Sequence, residues 1–132
     1  MIPMEVSQLA VIQVFPKVVK YLAPAISHNR CSEWTLDTVY AECMAGRMIL
    51  FVDDMLNPKN ALIAKFATWD GERVFVISFM GGEGNVDWNE AFAHMRAFAT
   101  RFGVSRVTAW LRDGWMKHLK VKRLATLCEI EE

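Results

Sequence analysis

The stretch Val74–Trp88, VFVISFMGGEGNVDW, decides the fold. Its first half is apolar and rich in β-branched and aromatic residues, the composition of a buried strand. Glycines at 81, 82 and 84 then break the run, and Asp87 stands where a helix N-cap belongs. Strand, glycine loop and helix start in that order form an arrangement that cradles phosphate, because loop amides and the helix dipole point at one spot. The rest of the chain reads as support for it.

Downstream, Asp87 with Glu90 has capping-box spacing, and Trp88, Ala91, Phe92, Met95, Phe98 and Phe102 fall on one helical face that Gly103 ends. Val104–Leu111, VSRVTAWL, alternates as a strand and places Trp110 on the sheet. The segment GWMKHLK follows as a short helix, and RLATLCEI as a last strand containing a buried Cys128. Upstream, MILFVDD, ALIAKFATWD and ERVFVISFM are three strands of an antiparallel meander, and Asp70-Gly71 makes the second turn a tight hairpin. Near-continuous apolar runs in the first and third of these predict cover on both faces. Two helices precede them. One runs from about Phe15 to Ile26 with Pro16 in its first turn, and the other is capped by Thr35 and stopped near Gly46. Residues 2–6 offer a short edge strand.

The 132 residues suit a single domain over 1–132, and 53% hydrophobic content excludes disorder. Fifteen basic and fifteen acidic side chains cancel, which removes a global argument for nucleic-acid binding. Cys31, Cys43 and Cys128 are odd in number and widely spaced, so they predict buried thiols rather than disulfides or zinc. His28, His94 and His118 are too scattered to form a metal set, and His94 is placed to pair with Glu90. The N-terminus lacks a basic n-region, and no apolar run approaches a membrane span of about 20 residues. The expected setting is intracellular, neither secreted nor transmembrane. Five tryptophans and eight methionines exceed the needs of a small core. Met1, Met4, Trp34, Met55 and Trp69 are therefore candidates for a subunit or partner interface.

The element order, with the GGEGNVDW loop and Leu111-Arg112-Asp113-Gly114-Trp115 after the penultimate strand, resembles the GNAT acetyltransferase fold over nearly the whole chain. In detail it resembles the small GNAT-like proteins of tailed bacteriophages. The resemblance implies an α/β (α+β) fold with a mixed, mainly antiparallel sheet between helices. In acting enzymes of the family, the loop after the fourth strand carries Gln/Arg-x-x-Gly-x-Gly/Ala and holds the pyrophosphate of acetyl-CoA. That pattern puts Phe79 at the polar position and Gly82 and Gly84 at the two glycines. The implied cofactor segment is thus Phe79, Met80, Gly81, Gly82, Glu83, Gly84 and Asn85.

Phe79 is not a polar anchor, and Glu83 and Asp87 bring negative charge to an anion site. The family's general base and tyrosine acid have as counterparts only Glu72, Ser78 and His118, with Tyr21 and Tyr40 both early in the chain. The expectation is therefore a phage protein without acetyltransferase activity and without a cofactor. It would act through protein contacts as a virion-associated or internal head protein, in the host cytoplasm or the particle. The partners would be other phage or virion proteins, or a second copy. The alternative is an acetyl-CoA-dependent N-acetyltransferase acting on an amine. A third option is nucleic-acid or phosphate docking through Arg112, Lys117, Lys120, Lys122 and Arg123.

Overall fold

The computed structural model describes residues 1–28, 33–83, 86–111, 113–124 and 128–131. Five strands form one sheet in sequence order: β1 (Met4–Glu5), β2 (Ile49–Val52), β3 (Asn60–Trp69), β4 (Glu72–Gly82) and β5 (Val107–Ala109). The first three pairings are antiparallel and β4–β5 is parallel, so the sheet is mixed and mainly antiparallel as expected. The helices are α1 (Val11–Ser27), α2 (Leu36–Met44), α3 (Trp88–Arg101) and the four-residue α4 (Asp113–Met116). A parallel pair needs a crossover, and α3 supplies it between β4 and β5.

Period-two alternation explains why the strands are apolar on both sides. Leu50, Val52, Ala61 and Ile63 pack under α1 and α2, against Phe15, Val18, Leu22, Ile26 and Val39. Phe51, Leu62, Ala64 and Phe75 face α3, where Phe98 meets Phe51 edge-on at 5.1 Å and lies tilted against Phe75 at 5.5 Å. At the hairpin, Asp70 (φ 51°) and Gly71 (φ 81°) both take the left-handed region that a two-residue turn requires.

Several expectations are corrected. The first helix begins a turn earlier than Phe15, after a 3-10 turn at Gln8–Ala10, which leaves both Pro16 and Pro24 inside it. With that lead-in it spans Gln8–Ser27, 20 residues of mean hydropathy 1.4, long and apolar enough to cross a membrane by length and composition. Its Val14, Val18 and Leu22 are packed on the sheet. Of the interface candidates, Trp34 and Met55 are partly buried against the core under α1 and α2, while Met4 is exposed, as are Ile2, Leu9 and Ile12. Trp110 is 57% exposed because β5 ends at Ala109, just before it. Of the expected last strand, residues 123–124 and 128–130 take no strand pairing and Cys128 is exposed; residues 125–127 lie outside the described residues, as does Cys31. Cys43 is buried as expected, and burial, then the Glu42 charge, pushes its thiol up to about 12.

The contact between α1 and β4 turns on Gly81. A Cβ there would overlap the backbone carbonyl oxygen of Tyr21, so only glycine lets the helix lie this close to the strand. Gly81→Ala is expected to destabilise the chain by about 1–3 kcal/mol through overpacking, read from the urea midpoint. An unchanged midpoint would show that the helix does not rest there.

Candidate functional site

The sheet opens at Ser78. From Glu72 to Ile77 β4 pairs with β3 in steady register, and from Phe79 to Gly82 it pairs again, but shifted by one residue. Ile63 faces Phe79 while Ala64 faces Ile77, which leaves Ser78 as the extra residue of a β-bulge. The bulge reverses which way the strand's side chains point. Phe75 and Ile77 lie on the α3 side, whereas Phe79 packs under α1. At the same place β5 leaves: its pairing covers only Phe75–Ile77, and the Trp110 amide donating to the Ile77 carbonyl at 3.1 Å is the last bond across. Beyond Ile77 the edge of β4 has no strand beside it among the described residues.

Between the parted strands lies a cleft of about 450 Å³, walled by Tyr21 of α1 and His28 just after it, by Ser78–Gly82 of β4, and by Trp88, Trp110 and Trp115. Tyr21 sits here because Gly81 admits its helix turn, and its hydroxyl donates to Glu83 Oε2 at 2.9 Å. Partial burial, then the neighbouring Glu83 carboxylate, raises the Tyr21 phenol above its ordinary value. Asn60, which is 6% exposed, lies over Gly82. Its side-chain amide nitrogen donates to Asp53 Oδ2 at 2.9 Å, while Asp53 Oδ1 accepts from the backbone amides of Lys59 (3.0 Å) and Asn60 (3.1 Å). This fixes the amide, so that Asn60 Oδ1 is the end turned to Gly82, and it has no partner.

The turn into α3 is already bonded. The Glu83 amide donates to the Lys59 carbonyl at 3.1 Å, and Asp87 Oδ1 accepts from the amides of Asn89 (3.0 Å) and Glu90 (3.3 Å). Asp87 thus caps the helix as expected, but the reciprocal half of the box is missing. Glu90 Oε1 instead accepts from the Met1 ammonium at 3.0 Å, rather than pairing with His94. A carboxylate occupies the first-turn amides that an incoming phosphate would seek. The amides of Glu83, Asn89 and Glu90 are thus bonded within the chain, a poor fit to a pyrophosphate at those positions. Gly84 and Asn85 lie outside the described residues.

Of the other predicted residues, Ser78, Phe79, Met80, Gly81 and Gly82 line the cleft, and Glu83 follows them at its rim. Glu72 does not join them. It lies at the hairpin end of β4, six residues or roughly 20 Å along the strand from Ser78, and its carboxylate meets Arg106 at 3.5 Å. His118 is exposed and outside the cleft lining. Lys117, Lys120, Lys122 and Arg123 are exposed, and Arg112 lies outside the described residues. Asn89, which sequence reasoning passed over, positions this segment: its side-chain nitrogen donates to the His118 carbonyl (3.2 Å) and its oxygen accepts from the Lys120 amide (2.9 Å). Among the described residues no group of three or more His, Cys, Asp or Glu could hold a metal ion.

No protein-family model matches the chain, and no curated sequence does. Solved structures do. The chain superimposes on an aminoglycoside acetyltransferase, meta-AAC0020, from an uncultured soil metagenomic sample, in complex with sisomicin. The TM-score is 0.68 at 8% identity, over 98% of this chain and 93% of that one. A predicted acetyltransferase from Clostridium acetobutylicum, solved with acetyl-CoA, gives 0.66 at 8% identity over 98% and 94%. A probable acetyltransferase gives 0.64 at 8% identity over 99% and 100%. The chain has the GNAT acetyltransferase fold.

The bonds around Asp53 predict a pH dependence. Burial works to raise its carboxyl, but the bonds from Asn60 and Lys59 outweigh it and hold the group below its ordinary value of 3.8. A depressed folded-state pKa contributes stability above the unfolded value and loses it as pH falls through the folded one. Thermal unfolding is therefore expected at lower temperature as pH drops from about 4 toward 2, and Asp53→Asn, less stable at neutral pH, is expected to lose less over that range. Equal losses in the two proteins would contradict this assignment.

Proposed function

We propose that this GNAT-fold chain does not transfer acetyl groups and acts through protein contacts, as a virion-associated or internal head protein of a tailed bacteriophage. The observation that carries the first half is the Asp87 carboxylate on the α3 amides. With the Glu83 amide already donating to Lys59, it fills the place where a cofactor's phosphates would be held. Exposed apolar side chains, Leu9 at 91% and Ile12 at 56%, offer surface that a protein partner would cover. The phage setting rests on the GGEGNVDW and LRDGW motifs.

A second reading, an acetyl-CoA-dependent N-acetyltransferase acting on an amine, is favoured by the Ser78 bulge and the unpaired β4 edge beside a cleft. Solution of the C. acetobutylicum neighbour with acetyl-CoA supports it by analogy. In that reading Ser78, Tyr21 and His28 are among the polar groups that line the cleft.

Calorimetric titration with acetyl-CoA separates the two. The unaltered chain is expected to give no binding tighter than roughly millimolar, and Glu83→Gln with Asp87→Ser, which keeps a capping oxygen, is expected to bind more tightly. Micromolar binding by the unaltered chain would overturn the proposal. Constant copy number in purified particles is expected for the virion role, and absence from them would remove it.

A further inference from the structure

The segment after α4 is the most basic part of the chain, and it is fixed in place. Lys117, Lys120 and Lys122 are all exposed, and among the described residues none of their ammonium groups is paired with a carboxylate. Two bonds from Asn89 hold the backbone at His118 and Lys120 against the first turn of α3. Trp115, which leads into this segment, packs on Trp88 with ring centroids 5.9 Å apart. Trp110 lines the same cleft as Trp115, yet 57% of it is exposed. Two carboxylates at the neighbouring turn into α3 are engaged: Asp87 accepts from the α3 amides and Glu83 accepts from Tyr21.

Unpaired cations on an anchored backbone beside an open indole face suit a chain of phosphates that carries flat, unstacked rings. We propose that Lys117, Lys120, Lys122 and Trp110 form a docking surface for single-stranded nucleic acid. The lysines contact successive phosphates, and one base stacks on Trp110. A duplex keeps its bases stacked on one another and cannot offer one to Trp110, so the single strand is the preferred form. An acidic protein would use the lysines without needing the indole.

The test is fluorescence anisotropy of the whole chain with labelled oligodeoxythymidine of about a dozen nucleotides. Binding is expected to weaken with added salt, with a log–log slope of about −2 for three phosphate contacts. Trp110→Ala is expected to cost roughly five- to a hundred-fold in affinity with the slope unchanged. Lys117→Gln, Lys120→Gln and Lys122→Gln together are expected to flatten the slope. Unchanged melting temperatures of these exposed-site variants show that the fold is intact. The proposal is overturned by absence of binding at low salt, or by equal affinity for a duplex. It is also overturned by no effect of Trp110→Ala, or by displacement of the oligonucleotide by polyglutamate or micromolar acetyl-CoA.

Discussion

The structure depends on how β4 is held along its two edges. From Phe75 to Ile77 it is bonded on both sides, to β3 and β5, and its side chains are buried in the middle of the sheet. At Ser78 one residue too many enters the ladder with β3, and β5 departs within one bond of the same point. A bulge bends and twists its strand, so the added residue and the parting of the parallel pair occur together. The apolar runs on both faces keep the sheet together around this opening, with α1 and α2 on one side and α3 on the other. The cleft is thus a consequence of strand register, and Gly81, by admitting α1, sets how near its other wall stands.

The chemistry of the opening differs from what its shape invites. A glycine turn running into a helix start is favourable for anions because its amides lack partners. Here three of the described amides have them: Lys59 supplies a carbonyl to Glu83, and Asp87 supplies a carboxylate to Asn89 and Glu90. Glu83 is not a bare charge either, since Tyr21 donates to it across the cleft. Internal bonds of this kind stabilise the turn while lowering its capacity for an outside phosphate. The lysines of the C-terminal segment are the reverse case, positive groups on a backbone that Asn89 bonds at His118 and Lys120, without carboxylate partners among the described residues.

Much of this was legible in the sequence wherever a local rule controlled the outcome. Asp70-Gly71 specified its turn, Thr35 and Asp87 specified helix starts, and the double-sided apolar strands specified a covered sheet. Long-range register was not legible. Ser78 is an unremarkable polar residue in an apolar run, and only its pairing with β3 reveals the bulge. Tyr21 and Asn89 gave no signal because their partners, Glu83 and the 118–120 backbone, lie 62 and about 30 residues away. The alternating pattern of VSRVTAWL overstated β5, since the strand parts from β4 where Trp110 begins and exposes the ring. Pro16 misled the helix start because burial of Val11, Val14 and Phe15 against the sheet outweighs the bond that the proline removes.

The central claim is that the turn between β4 and α3 is bonded by the chain itself. It is tested most directly by following the backbone amide resonances of Glu83, Asn89 and Glu90 while coenzyme A is added. The account predicts that all three stay in place up to roughly millimolar ligand. Saturating shifts of the Asn89 and Glu90 amides at micromolar coenzyme A would show that phosphate displaces Asp87, and would contradict it.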